Sequence, residues 1–590
     1  MYKLILLAIK YILIEILSVK LKILYWKNFF NEISILKFLI KYQNSNISYF
    51  KDENLNNFLK YNKKTDQNNK KFSSKNKILV DLTVDHQPEH SLLNCLIAND
   101  LKKILKKNIV GLINSDDIKS KKIAQSFGIK NFIIHRRQNL FKRIFFFIKS
   151  LIITKNIDSI QKVLDFKYRN IDIGKCAYEH SIRFYCKSGF KIDFYFYLSV
   201  AKALENLDFF ENLYLKNSFY HTVIGENQFI PHKIFFQRAL KSKNIVYSRY
   251  GSGLDNYNVR IFKSFKDRYS AKRKFSKKLL NYLLKKHKKI IEKEIDNFFQ
   301  KEKPEKKIGF EDALVGGRKK TTILNFKNKN EFNLFFNLKH KKKLNILILP
   351  NVLQDNILNS EWSLFFSPYD WFYKTILNIK DINNVNWIIK PHPSEKFYNE
   401  KFGVKTVLNK FIPYPKNIKL INHNNHINNI HKFIDLVITY NGSCGYEYST
   451  LGIPVITVAD GKYSDFNFTL NPKTQKQYFK YLKNFKEVKK TFKVKKNIAK
   501  LFWYMDICDT GIMRMTHGLI PKMKTQGNIR HVQWKEFWKK LYLNSKKTKN
   551  NENNYFNNFK LQQKALNRHT INFAILGKKK IKEVIKLNDA

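Results

Sequence analysis

From residue 77 onward the chain alternates short apolar runs with amphipathic stretches. KILVDLTV (Lys77–Val84), NIVGLIN and NFIIH each read as a short buried strand. Between them, LLNCLIANDLKKILKK carries apolar residues at helical spacing, and KSKKIAQSFGI reads as a helix stopped by glycine. Strand, helix, strand, helix, strand predicts a parallel α/β unit. Residues 140–300 read mostly as helix, with one further strand in NIVYSRYG (Asn244–Gly251). The charged stretch Gln300–Lys320, with Pro304 and Gly316-Gly317, reads as a boundary.

A second α/β pattern follows. It runs through a strand in KLNILILPNV, a helix in WSLFFSPYDWFYKTILNI, the strand NWIIK and a strand in IKLIN. It continues with a helix in HINNIHKFI, the strand DLVITY (Asp435–Tyr440), a helix after Gly442 and the strand PVITV. The expected fold class is therefore α/β, with two Rossmann-type parallel-sheet domains facing a cleft. The expected division is 1–75 for an apolar helical segment and polar linker, 76–320 for the first α/β domain with a helical insert, 321–510 for the second, and 511–590 for helices and a Lys/Asn-rich tail. No internal repeat of fixed period is present.

At 590 residues the chain is too long for one core, which agrees with two domains. It is rich in Lys, Asn, Ile, Phe and Tyr, the residues that an AT-rich genome over-supplies. Lys+Arg minus Asp+Glu is 110 − 47 = +63, a field that attracts anions even where it owes something to that bias. The basic residues are scattered, with no zinc-finger spacing and no basic motif interleaved with aromatics, so no specific nucleic-acid partner is expected. Five cysteines without a CxxC pair indicate neither a disulfide framework nor a zinc site, and fit a reducing cytoplasm. MYKLILLAIKYILIEILSVKLKILYW is apolar but broken by Lys3, Lys10, Glu15, Lys20 and Lys22, so it is too short in charge-free length to span a bilayer. It suits either a helix on the inner face of the cytoplasmic membrane, as a peripheral contact, or an amphipathic helix covering a domain.

Two loops carry candidate chemistry. In NWIIKPHPSE (Asn386–Glu395) a buried strand runs into Lys390 and His392, with Pro391 and Pro393 stiffening the backbone. A cation and a titratable ring at the carboxyl end of a strand stand where open α/β sheets bind ligands; the alternative is a solvated strand end. In DLVITYNGSCGYEYSTLGIPVITV (Asp435–Val458) a strand ends in a small-residue turn before a helix. Its amides, the Ser443 hydroxyl and the neighbouring Cys444 and Gly445 suit an anion. Glu447, about a turn on, suits a ribose or sugar hydroxyl, or is a plain surface acid. His86, Glu89 and His90 in DHQPEH have a spacing known from metal sites, but Pro88 is expected to interrupt the helix that such a site needs, and no metal is expected.

KPHP followed by NGSCGYEYSTLGIPVIT resembles the nucleotide-sugar half of the capsule polysaccharide biosynthesis proteins, which are GT-B glycosyltransferases related to the capsular and lipopolysaccharide Kdo transferases. The resemblance covers roughly residues 340–470. It implies that His392, Pro393 and Ser443 with its neighbours hold a donor nucleotide, and LPNVLQDN offers Asp355 as an acid. IDIGKCAYEHSIRFY and VIGENQFIPHKIFFQRAL resemble segments of the first half of that group, departing from it at His180, Ser181 and Glu226-Asn227.

Glycosyl transfer needs a held leaving phosphate and a carboxylate at the reacting centre or as base. Lys390, His392, Ser443 and the amides of Cys444 or Gly445 serve the first need, and Asp355 or Glu226 the second; Asp355 also fits a helix cap. The resemblance implies a glycosyltransferase of surface polysaccharide synthesis. It would use a CMP- or UDP-linked donor and a glycan or lipid-linked acceptor, with no further cofactor and no DxD motif for a metal. A CDP-glycerol-type glycerophosphotransferase shares the layout, and a basic binding or scaffold protein is the non-enzymatic alternative.

Overall fold

The computed structural model describes residues 6–13, 52–65, 73–136, 138–249, 259–302, 322–338, 343–507 and 523–545, apart from short interruptions within these spans. Pro393, His86, Cys186, Cys508, most of the expected boundary and the tail beyond 545 lie outside the described residues.

The first module is a six-stranded sheet. Its strands are β1 (Ser73–Asp81), β2 (Lys107–Asn114), β3 (Asn131–His135), β4 (Phe219–Ile224), β5 (Ile245–Arg249) and β6 (Val259–Phe262), in the order β3-β2-β1-β4-β5-β6. All neighbours pair in parallel except β5 with β6. The period of two along a strand feeds two cores. Leu79 points into one with Leu112 and Ile224, while Ile78 and Val80 point into the other with Val223. Helices α1 (Glu53–Thr65), α2 (Pro88–Leu105) and α3 (Ile118–Ser126) contribute to one side. Helices α4 (Leu140–Ile153), α5 (Ile173–Phe184), α6 (Phe194–Lys216) and α7 (His232–Lys241) contribute to the other.

The second module has five parallel strands. A short strand β7 (Thr322–Leu324) precedes β8 (Leu344–Leu349), β9 (Val385–Ile389), β10 (Ile418–Leu420), β11 (Asn425–Ile427), β12 (Leu436–Thr439) and β13 (Val455–Thr457). The main sheet runs β10-β9-β8-β12-β13, and β11 pairs with β7 apart from it. Leu347 faces one core and Ile346 and Ile348 the other. The architecture is thus a two-module, Rossmann-like α/β fold with mostly parallel sheets.

Several elements differ from the pattern reading. β4, at the centre of the first sheet, falls in the stretch read as helical. FYHTVI carries three polar or amphipathic residues in sequence, and its buried Thr222 is satisfied by Tyr214 (2.9 Å) and Asn244 (3.0 Å), partners that only the fold supplies. β1 ends at Asp81, so Leu82–Val84 form a loop. HINNIHKFI is not an α-helix: it holds β11 and one 3-10 turn, Ile430–Lys432. The Trp-rich helix starts only at Pro368, where Ser367 caps the Asp370 amide at 3.1 Å. Within the expected linker, α1 buries Leu55 and Phe58 against the first module.

Among the described residues, the chain passes from the first module to the second and later returns to the first. The helices Lys277–Lys286 and Lys288–Glu302 bring Leu280 and Ile295 into the second core, where Phe299 meets Trp503 edge-on. Beyond the helix Lys496–Ile507, Trp538 and Leu541 return to the first module and lie fully buried beside Phe58.

Candidate functional site

In an open parallel sheet, ligands bind at the carboxyl ends of strands where the order reverses. In the second module that point lies between β8 and β12. The loops leaving these strands are tied together. The Thr439 hydroxyl donates to the Leu349 carbonyl at 2.9 Å, and the Asn351 amide donates to Asn441 Oδ1 at 2.9 Å. Asn441 in turn donates to Ser360 Oγ (3.0 Å) and to the Asp460 carbonyl (3.1 Å), which adds the loop after β13. Tyr463 Oη donates to the Gly442 carbonyl at 2.7 Å.

The small-residue turn follows from that packing. A Cβ at Gly445 would lie 2.1 Å from Tyr463 Oη, so only glycine lets the tyrosine reach the turn. The Gly445 amide donates to the Gly442 carbonyl at 3.0 Å and is therefore already engaged. Cys444 turns its thiol inward, and burial pushes its pKa up to about 12. Ser443 is exposed, and its side chain makes no capping bond to α8 (Cys444–Thr450).

The KPHP loop leaves β9, which pairs with β8 on the side away from β12, so all three loops share one edge. The Lys390 amide donates to the Ile348 carbonyl at 3.0 Å, and the His392 carbonyl accepts from the Glu395 amide at 2.9 Å. Burial pulls the Lys390 pKa down to about 8, and the negative charge of Glu447 opposes that shift. Glu447 is thus a buried acid whose charge is felt at Lys390, rather than a surface acid.

In the first module the order reverses between β1 and β4. Asp81, fully buried at the end of β1, accepts from the Thr83 amide (2.9 Å), the Thr83 hydroxyl (2.6 Å) and the Gly225 amide (3.3 Å). His232, the first residue of α7, places Nε2 3.3 Å from Thr83 Oγ1 and 3.9 Å from Asp81 Oδ2. Thr83 has one hydroxyl proton, and the 2.6 Å contact assigns it to Asp81. Its oxygen is then placed to accept from His232 Nε2. Neither Asp81 nor His232 was singled out from the sequence. The available signals are a carboxylate ending a buried strand, and a histidine directly after a proline at a helix start.

Glu226 follows Gly225, and its Oε1 accepts from the amides of Asn227 (2.8 Å) and Gln228 (2.9 Å). Asp355 forms an ion pair with Arg183 of α5 at 2.9 Å, so the structure gives it a partner in the opposite module rather than a helix to cap. Arg183 also lies over the Phe229 ring at 5.0 Å. Ile357, Leu358 and Phe366 of the second module pack against the first module's core. The two switch-point edges therefore face each other. Pro88 opens α2 rather than interrupting it, and His90 is buried in that helix. Among the described residues no group of three metal-ligating side chains occurs, and no helix is long and apolar enough to cross a membrane.

No protein-family model matches the chain, and no curated protein sequence does. Among solved structures it is similar to the beta Kdo 2,4 transferase KpsC of Thermosulfurimonas dismutans, at 12% identity, covering 55% of this chain and 88% of that one with a TM-score of 0.29. It is also similar to Anabaena Alr3699/HepE, solved in complex with UDP, at 9% identity, 72% and 93% coverage and a TM-score of 0.24. The UDP-GlcNAc 2-epimerase of Methanocaldococcus jannaschii follows at 14% identity, 73% and 99% coverage and a TM-score of 0.22. Scores this low carry no argument about this chain's activity, and its fold rests on its own sheets.

Proposed function

We propose that the protein is a glycosyltransferase of the GT-B kind, taking a sugar from a CMP- or UDP-linked donor and passing it to a glycan or lipid-linked acceptor of a surface polysaccharide. The observation that supports this most directly is the pair of facing switch points, one carrying Lys390 and His392 and the other carrying Asp81, Thr83 and His232. In this reading the donor phosphate lies over the second module's edge, against Lys390, His392 and the Ser443 hydroxyl. Lys390 is cationic below about pH 8, and an arriving phosphate adds a negative charge that favours this charged form over the neutral one that burial favours. Tyr463 and Asn441 hold the turn that presents Ser443.

The acceptor hydroxyl approaches from the first module. His232 Nδ1 takes its proton as the bond to the sugar's anomeric carbon forms, and the nucleotide leaves with the electron pair of the broken bond. Asp81, through Thr83, fixes the tautomer that makes this possible. Glu226, with one oxygen engaged by backbone amides, is the second candidate for that step. Asp355 serves instead to hold the modules together.

The test is calorimetric titration of the protein with CMP, UDP, GDP and CDP, followed by mass analysis of the product formed with the matching sugar nucleotide. Binding of one nucleotide that weakens at least about tenfold in His392→Ala supports the assignment. Equal binding by wild type and variant removes the donor site from this edge. A product heavier by phosphoglycerol rather than by a sugar reassigns the enzyme to glycerophosphotransfer.

A further inference from the structure

Helix α4, LFKRIFFFIKSLII, buries Phe146, Phe147, Ser150 and Leu151 against the first module. Its opposite side is also apolar: Phe141 is 82% exposed, Phe145 56%, Ile148 40% and Ile152 60%. Their spacing of four, three and four residues confines them to an arc of roughly 60° at about 100° per residue. A soluble helix normally carries polar residues there. A second apolar ridge lies beside it. Helical residues 9–13 place Tyr11 on the Phe147 ring at 4.2 Å, and leave Leu6, Ile9 and Leu13 about half exposed.

Charge indicates what covers this face. α4 contains no acidic residue, and neither do residues 6–13. Lys142 and Lys149 flank the stripe, with Lys149 Nζ 5.6 Å from the centre of the Phe145 ring, and Arg136 and Lys155 lie exposed just beyond the helix ends. The nearby acids Asp158 and Glu211 are paired with Lys162 and Arg169. Glu205, beside the start of α4, accepts from the Gln138 amide at 3.0 Å, and α4 and residues 6–13 themselves offer only apolar, polar uncharged and cationic side chains. A surface that is apolar in depth and anionic at its rim matches both features.

We propose that the exposed face of α4, with the ridge of residues 6–13, docks the protein on an anionic lipid bilayer, the rings and Ile152 entering the interface and the lysines contacting headgroup phosphates. This rests on the surface alone and is independent of the glycosyl-transfer reading. It extends the sequence expectation of a membrane contact from the N-terminal segment to a face of the folded first module.

The test is sedimentation of the full-length protein with vesicles of phosphatidylglycerol and phosphatidylcholine, against vesicles of phosphatidylcholine alone. The expected result is binding to the mixed vesicles, at least about tenfold weaker binding to the neutral ones, and a further loss of about tenfold or more in Phe141→Ser/Ile152→Ser and in Lys142→Glu/Lys149→Glu. Phe141, Lys142 and Ile152 are exposed and Lys149 is half-buried against the Phe145 and Tyr168 rings, so thermal melting is measured on each variant, and unchanged melting confirms that it folds. Three outcomes overturn the proposal. One is that the wild type stays in the supernatant. Another is that the variants sediment like the wild type, which places the contact elsewhere in the chain. The third is that light scattering finds a wild-type dimer, split by the serine variant, with no vesicle binding, which makes the face a contact between two copies.

Discussion

Arg183 of the first module grips Asp355 of the second at 2.9 Å, with the Phe229 ring against the guanidinium. Both side chains remain partly exposed, and such pairs contribute about 0–1 kcal/mol to stability. Asp355→Asn is therefore expected to leave the thermal midpoint within a few degrees of wild type and to lower turnover by less than about tenfold through looser module alignment. A loss of a thousandfold with intact nucleotide binding would instead make Asp355 the reacting carboxylate. Steady-state kinetics on the variant decides between them.

Lys390 gives a pH dependence with a defined sign. Its folded pKa is about 8, below the ordinary lysine value of 10.5. Below pH 8 the lysine is charged in both folded and unfolded chains. As pH rises from about 8 toward 10.5 the folded chain sheds this proton first, so this group's contribution to stability increases across that window. Phosphate binding runs the other way, because it needs the cation: nucleotide affinity is expected to fall as pH passes about 8. Calorimetric titration across that range should show the decline in wild type and a flat, weak profile in Lys390→Met.

Gly445→Ala is expected to destabilise the second module. The new Cβ meets Tyr463 Oη at 2.1 Å and ring carbons at 2.2 and 2.6 Å, and that ring is held by Tyr446, Phe468 and Phe502. Overpacking of this kind costs about 1–3 kcal/mol. Tyr463→Phe loses one hydrogen bond, about 1 kcal/mol. It does not rescue Gly445→Ala, since the ring carbons remain. Denaturant melts of the single and double variants check both statements.

His232→Ala is expected to lower kcat by at least about a hundredfold while leaving nucleotide affinity unchanged, because the imidazole lies on the acceptor side. Thr83→Val breaks the link between Asp81 and His232, and should lower kcat less while moving the acidic limb of the pH–rate profile, where a general base loses its proton. If Glu226→Gln produces the larger loss, the base is the carboxylate.

Much of this arrangement was legible in the chain because it is local. β8, β9 and β12 are mostly apolar runs, broken only by Asn345, Asn386 and the terminal Thr439, and the KPHP and NGSCG turns follow closely on the ends of β9 and β12. What the pattern missed depends on distant residues. β4 is polar in part because Tyr214 and Asn244 wait for Thr222. The Asp81–Thr83–His232 relay joins groups about 150 positions apart, and the sequence pattern places Asp81 inside a strand running to Val84 rather than at a strand end. Glu447 reads either as a sugar-hydroxyl contact or as a surface acid, and neither reading foresees that it lies buried with its charge felt at Lys390. The Gly445 amide looks available until Gly442 is seen to use it.

The return of Trp538 and Leu541 to the socket beside Phe58 has a practical corollary for anyone cutting this polypeptide. Severed after Ile507, it loses no strand of either sheet, yet opens a greasy notch in the half that was translated first. The piece spanning the first sheet alone would be sticky for the same reason, so its halves should be studied joined. The Trp538 side chain thus belongs to the half that is made first although it is synthesised after the other half, which makes the early half's burial wait for the far end of the polypeptide.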